Sequence, residues 1–110
     1  MLDLETRTLE RLQANASEAS ALLKALANEK RLLILCQLGE REMSVGQLQE
    51  MVGLSQSALS QHLALLREDG LVATRRDGAS IYYRNADDRA LKVIKVLAEI
   101  YCPDLVSSKG

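Results

Sequence analysis

The residues from Ser44 to Gly70 constrain this chain more than any others. Ser44-Val45-Gly46-Gln47 puts Ser at a helix cap and Gln three residues on, a reciprocal pattern that satisfies two free N–H groups at a helix start. Val45, Leu48 and Val52 form the apolar side of that helix, and Gly53 ends it. Leu54 and Leu59 then flank a Ser55 cap at the spacing of a hydrophobic staple, and a further helix runs through Leu63 and Leu66 to Gly70. Two short helices joined by a tight glycine-containing turn predict a helix-turn-helix over residues 44–69.

From Leu71 to Arg84 the period changes. Asp77-Gly78 is a two-residue hairpin signal. Pairing outward from it sets Thr74 opposite Ile81 and Val72 opposite Tyr83 on an apolar face. Arg75 with Ser80 and Ala73 with Tyr82 lie on the other face. The hairpin over 71–84 is expected to pack on the domain as a small wing.

The flanking segments read as helices. Leu9, Leu12, Ala16, Ala19, Leu23 and Leu26 recur in steps of three and four, which predicts one amphipathic helix with a narrow seam within residues 1–27. Asn28 caps the next helix, which carries Leu32 to Cys36 and stops near Gly39. The last helix spans 87–102. It opens at Asp87-Asp88, carries Leu91, Ile94, Leu97, Ala98 and Tyr101, and ends by Cys102 because Pro103 disfavours helical geometry before it. Val93, Val96 and Ile100 make it apolar nearly all round, so it needs two surfaces to cover it. One is its own domain, and the other is expected to be a second subunit, so the fold predicted is mainly α with a small β-hairpin wing. It is a single winged helix-turn-helix domain over 1–110, dimeric through its first and last helices.

Composition agrees with that class. The chain has 110 residues, enough for one modest core, and its aromatic content of 3% favours packed helices over a sandwich or barrel. A net charge of −1 gives no overall basic signal for nucleic acid, so any such signal must be local. Residues 55–84 carry Arg67, Arg75, Arg76 and Arg84 against Glu68, Asp69 and Asp77, whereas residues 1–54 are net acidic. No apolar run reaches membrane-spanning length and no signal pattern opens the chain. The expected setting is the cytoplasm, with no membrane partner and both cysteines as thiols. An enzyme is not expected: there is no Gly-rich phosphate loop, no Ser/His/Asp arrangement and no general-base cluster.

In a helix-turn-helix the second helix enters the major groove of double-stranded DNA. Its outward positions here are Gln56, Ser57, Ser60 and Gln61, side chains that donate and accept hydrogen bonds, with Gln suited to adenine. Ser55 is either a helix cap alone or also a phosphate contact. Arg75 and Arg76 at the wing tip, with Ser80, complete the expected interface. His62, the one histidine, reads as a partly buried hydrogen-bonding residue rather than a DNA contact. A dimer would place two such helices about one DNA turn apart on an inverted repeat. A winged-helix module used for protein contacts is the alternative from another class.

Two stretches, Leu54-Ser55-Gln56-Ser57-Ala58-Leu59-Ser60-Gln61-His62-Leu63 and Leu66-Arg67-Glu68-Asp69-Gly70-Leu71-Val72, resemble the ArsR/SmtB family of bacterial repressors, as does Leu26-Ala27-Asn28-Glu29-Lys30-Arg31-Leu32. The likeness covers roughly residues 17 to 103. Cysteine placement resembles the thiol- and persulfide-sensing branch of that family. The resemblance implies that Cys36 and Cys102 are linked by a disulfide or polysulfide when reactive sulfur species arrive, and that DNA is then released. It also leaves open an activator or anti-silencer using the same DNA contacts. Without the resemblance, Cys36 reads rather as a small core hydrophobe and Cys102 as an incidental terminal thiol. Metal ligands known elsewhere in the family are lacking: there is no Cys-x-Cys pair near the reader, and Asp87 and Asp88 have no histidine partner in the last helix. No metal or cofactor is expected.

Overall fold

A computed structural model describes residues 6–102. The elements in chain order are α1 (Thr6–Ala14), α2 (Ala16–Leu26), α3 (Glu29–Leu38), β1 (Met43–Ser44), α4 (Val45–Val52), α5 (Gln56–Glu68), β2 (Val72–Asp77), β3 (Ser80–Asn85) and α6 (Asp88–Tyr101). The helix starts follow from local chemistry. Asn28 Oδ1 accepts from the N–H groups of Lys30 and Arg31 at 3.0 and 3.1 Å. Ser44 and Gln47 form the reciprocal capping box, and Asp87 accepts from the N–H groups of Arg89 and Ala90.

The single N-terminal helix expected from the apolar seam is instead two helices meeting at Asn15. Asn15 Nδ2 donates to the Arg11 carbonyl at 2.9 Å, and its backbone N–H is shared between Arg11 and Leu12. The side chain thus competes with the helix for a backbone acceptor, which periodicity does not register. Seam residues Leu9, Leu12 and Leu23 are exposed, and only Leu26 joins the core. The part of that expectation lying in residues 1–5 falls outside the described residues.

The sheet has three antiparallel strands in the order β1-β3-β2, with Met43 opposite Tyr83 and Ser44 opposite Tyr82. A two-residue strand leaves no period to read, so β1 was not expected. The hairpin register also differs from the expected one. Thr74 pairs with Tyr83, Arg75 with Tyr82, Arg76 with Ile81 and Asp77 with Ser80, leaving Gly78-Ala79 as the turn. Gly78 takes the left-handed φ of +63°, the conformation hairpin turns demand of their first central residue. The slip is two residues, so every side chain keeps its expected face. Val72 and Tyr83 lie toward the core, and Arg75 and Ser80 lie outside.

The core is formed by α3, α4, α5, the sheet and part of α6. Ile34, Leu35, Leu38, Leu48, Leu59, Leu63 and Leu66 are completely enclosed, each contributing about 1.5–3 kcal/mol by burial. Asn85, at the end of β3, fastens α3 to the sheet by donating to the carbonyls of Gly39 and Leu35 at 2.7 and 3.2 Å. Both acceptors lie at the C-terminus of α3, where the Leu35 carbonyl also accepts from the Gly39 N–H at 3.0 Å.

Candidate nucleic-acid interface

Helix α5 is held by one side and presents the other. Leu59, Leu63 and Leu66 are buried, while Gln56, Ser57, Ser60 and Gln61 are all exposed together at its N-terminal half. The three residues between α4 and α5 turn on Gly53, in the left-handed region at φ +68°. Ser55 Oγ accepts from the Ala58 N–H at 3.1 Å, so Ser55 is a cap. Its hydroxyl hydrogen remains free to donate, and the first N–H groups of α5 have no intrahelical acceptor. An anion placed there meets several donors and the positive end of the helix dipole.

His62 lies half-buried between these faces, and its Nδ1 has no hydrogen-bond partner among the described residues. The expectation of a satisfied hydrogen bond is therefore corrected for that nitrogen. Beside the reader face, Ser60, Ala64, Arg67, Glu68 and Tyr83 line a groove of about 460 Å³ between α5 and the hairpin.

The hairpin arginines diverge. Arg75 lies on the outer face, where Nη2 and Nε donate to Glu42 Oε1 and Oε2 at 2.8 and 3.0 Å. Its guanidinium stands 5.0 Å from the Tyr82 ring centroid, and Asp77 is 3.8 Å away. Hydrogen bonding from Arg75 holds the Glu42 carboxyl below its usual range, and the charge of Arg84 adds to that. Arg76 lies on the opposite face, exposed, and makes no ion pair among the described residues. Ser80 is exposed next to the turn, facing Asp77 rather than Arg75. Sequence reasoning missed Glu42. Its partner lies 33 residues away, beyond the reach of any local pattern.

The two cysteines come from opposite ends of the domain. Cys36 is on α3 and Cys102 caps the C-terminus of α6, its N–H donating to the Ala98 carbonyl at 2.7 Å. Both are free and exposed, so Cys36 is not a core hydrophobe. Burial pushes the Cys36 thiol up, and a negative charge on Cys102 pushes it further. Among the described residues no group of three or more His, Cys, Asp or Glu is placed to hold a metal ion. Nor is any described helix long and apolar enough to cross a membrane.

Residues 28–74 match the family described as "Bacterial regulatory protein, arsR family". Over 94 residues the chain is 48% identical to the transcriptional activator HlyU of Vibrio cholerae, covering 86% of this chain and 87% of that protein. The chain belongs to the arsR family. Another relative is the biofilm growth-associated repressor of Agrobacterium fabrum, 42% identical over 101 residues, covering 92% of this chain and 86% of that protein. Among solved structures, the transcriptional repressor BigR from Xylella fastidiosa superposes with a TM-score of 0.82 at 41% identity, covering 86% of this chain and 97% of that one. The three-stranded sheet and the α4–α5 pair are thus the wing and helix-turn-helix of an arsR-family transcriptional regulator. It binds DNA and is not an enzyme.

Proposed function

We propose that this arsR-family protein is a homodimeric repressor that reads an inverted repeat and releases it when Cys36 and Cys102 become bridged. In this reading Gln56, Ser57, Ser60 and Gln61 meet base edges, Ser55 and the α5 N-terminus take a phosphate, and Arg76, Ser80 and Arg75 engage the backbone beside the wing. Exposure of the four polar side chains on one face of a helix anchored by three buried leucines supports the reader assignment. Exposed Leu9, Leu12, Leu23, Val96 and Ile100 on α1, α2 and α6 support a second subunit covering those helices.

The observation that supports the sensing reading is that both cysteines are free thiols on the surface, open to a sulfur donor. A low-molecular-weight persulfide transfers its sulfane sulfur to one cysteine, giving a protein persulfide and the parent thiol. The second thiol attacks the inner sulfur, forming the Cys36–Cys102 disulfide and expelling hydrogen sulfide. The sulfane sulfur is reduced and the two thiols are oxidised. Burial disfavours the Cys36 thiolate, and in this reading Cys102, at the end of α6, takes the sulfur first. A gel shift with and without a persulfide donor tests this on wild type, Cys36→Ser and Cys102→Ser. Wild type should leave the DNA and both variants should stay. Release that persists in either variant contradicts the bridge, as does a wild type that ignores the donor. A promoter reporter separates repression from the activation named for the Vibrio relative.

A further inference from the structure

The outer face of the wing carries a closed set of charges. Arg75 does not project from the hairpin tip. It lies across the ring of Tyr82, its partner on β3, and its fork grips the carboxylate of Glu42, the residue just before β1. By the strand register Glu42 is on the base side of that pair, level with Arg84, so its two short hydrogen bonds draw the guanidinium toward the base of the hairpin, against a looser pull from Asp77, 3.8 Å away on the turn side. Arg84 is on the same face and its charge acts on Glu42 as well. A guanidinium fork accepts a carboxylate and a phosphate with the same paired geometry. The side chains of Arg75 and Glu42 are 50% and 34% exposed, so water screens their attraction and the pair can be exchanged.

We propose that Glu42 is a built-in substitute for a DNA phosphate, which occupies Arg75 in the free protein and is displaced by the duplex backbone on binding. The ligand chemistry is the phosphodiester, with no base read. Glu42 thereby lowers sequence-independent affinity and leaves the α5 contacts to decide which sites are held, which makes it a specificity-determining residue. A strut that aimed Arg75 at DNA would hold it toward the turn, whereas Glu42 holds it back. This inference rests on the assignment of Arg75 to the DNA backbone made above.

The test is a salt titration of binding to a fluorescent random-sequence duplex of about 30 base pairs, long enough for a dimer on one face. It compares wild type, Glu42→Gln, Arg75→Ala and the double variant, each checked for folding by circular dichroism. Glu42→Gln should bind about two- to fivefold tighter at low salt, the scale of releasing one exposed ion pair. Its log–log salt slope should change by less than the roughly 0.9 of one phosphate contact, because Arg75 reaches a phosphate in both proteins. In the Arg75→Ala background the same change should alter affinity by less than about twofold, since the fork it frees is gone. Glu42→Ala should repeat the gain. Glu40→Gln, a control at an acid that pairs with Lys95 instead, should not. A Glu42→Gln protein that binds no tighter overturns the proposal, as does a gain retained in full without Arg75. Wild type that fails to bind the duplex at low salt overturns both this and the DNA-backbone assignment. Binding by wild type with Glu42→Gln unchanged overturns this alone.

Discussion

Two effects act in the same direction on Cys36: burial disfavours its charged form, and so does a charged Cys102. Alkylation of Cys36 followed by peptide mass spectrometry should therefore have a pH midpoint above that of a free cysteine, about 8.5. Cys102→Ser should move the midpoint down, because it removes the like charge. A midpoint at or below the free value contradicts the environment described. Other single residues show where sequence reading succeeds and stops. Asn28, Ser44, Ser55 and Asp87 were legible as caps, because each bonds to a backbone group two or three residues on. The Arg75–Glu42 pair was not legible, since no pattern in the sequence joins residues that far apart. His62 was legible as half-buried, but its unpartnered Nδ1 depends on what surrounds it.

At the scale of elements, α5 owes its position to the leucines beneath it. Leu63→Ala should destabilise the domain by about 2–5 kcal/mol, read as a lowered denaturation midpoint, because the enclosed site cannot collapse around the cavity. A loss under about 1 kcal/mol would mean α5 is loosely held, since even a surface change costs that little. Gly78→Ala tests the corrected turn. An alanine forced to φ +63° should cost about 1–2 kcal/mol, read as a lowered denaturation midpoint, and an unchanged midpoint would contradict a left-handed Gly78. The helix periods, the caps and the faces of the hairpin were readable because they are local repeats. The register was not. Asp77-Gly78 and Gly78-Ala79 turns differ by two residues in register, both keep the same faces inward, and only the sheet with β1 selects between them. The break at Asn15 was hidden for a similar reason, because the apolar spacing continues straight through it.

The whole molecule is nearly neutral, yet residues 55–84 carry Arg67, Arg75, Arg76 and Arg84 against three acids, whereas residues 1–54 are net acidic. Six of the ten exposed large apolar side chains among the described residues are on α1, α2 and α6, with Leu33, Met51, Leu65 and Ile81 spread singly over other elements, and this concentration motivates the dimer. Ile94 is buried within the subunit and would report folding, so Leu12→Lys and Ile100→Asp are the cleaner interface changes. Either should leave helicity in place and convert a sedimenting dimer to monomer at micromolar concentration. A wild type that sediments as a folded monomer contradicts the second subunit. The central claim, that the exposed N-terminal face of α5 in a dimer reads DNA sequence, is tested most directly by selection from a random duplex pool with wild type and Gln56→Ala. Wild type should recover an inverted repeat with half-sites about one helical turn apart. Gln56→Ala should lose base preference at one position in each half-site, about 1–3 kcal/mol of discrimination, while keeping the repeat. Recovery of no symmetric site by wild type, or of an unchanged base preference by Gln56→Ala, would contradict it.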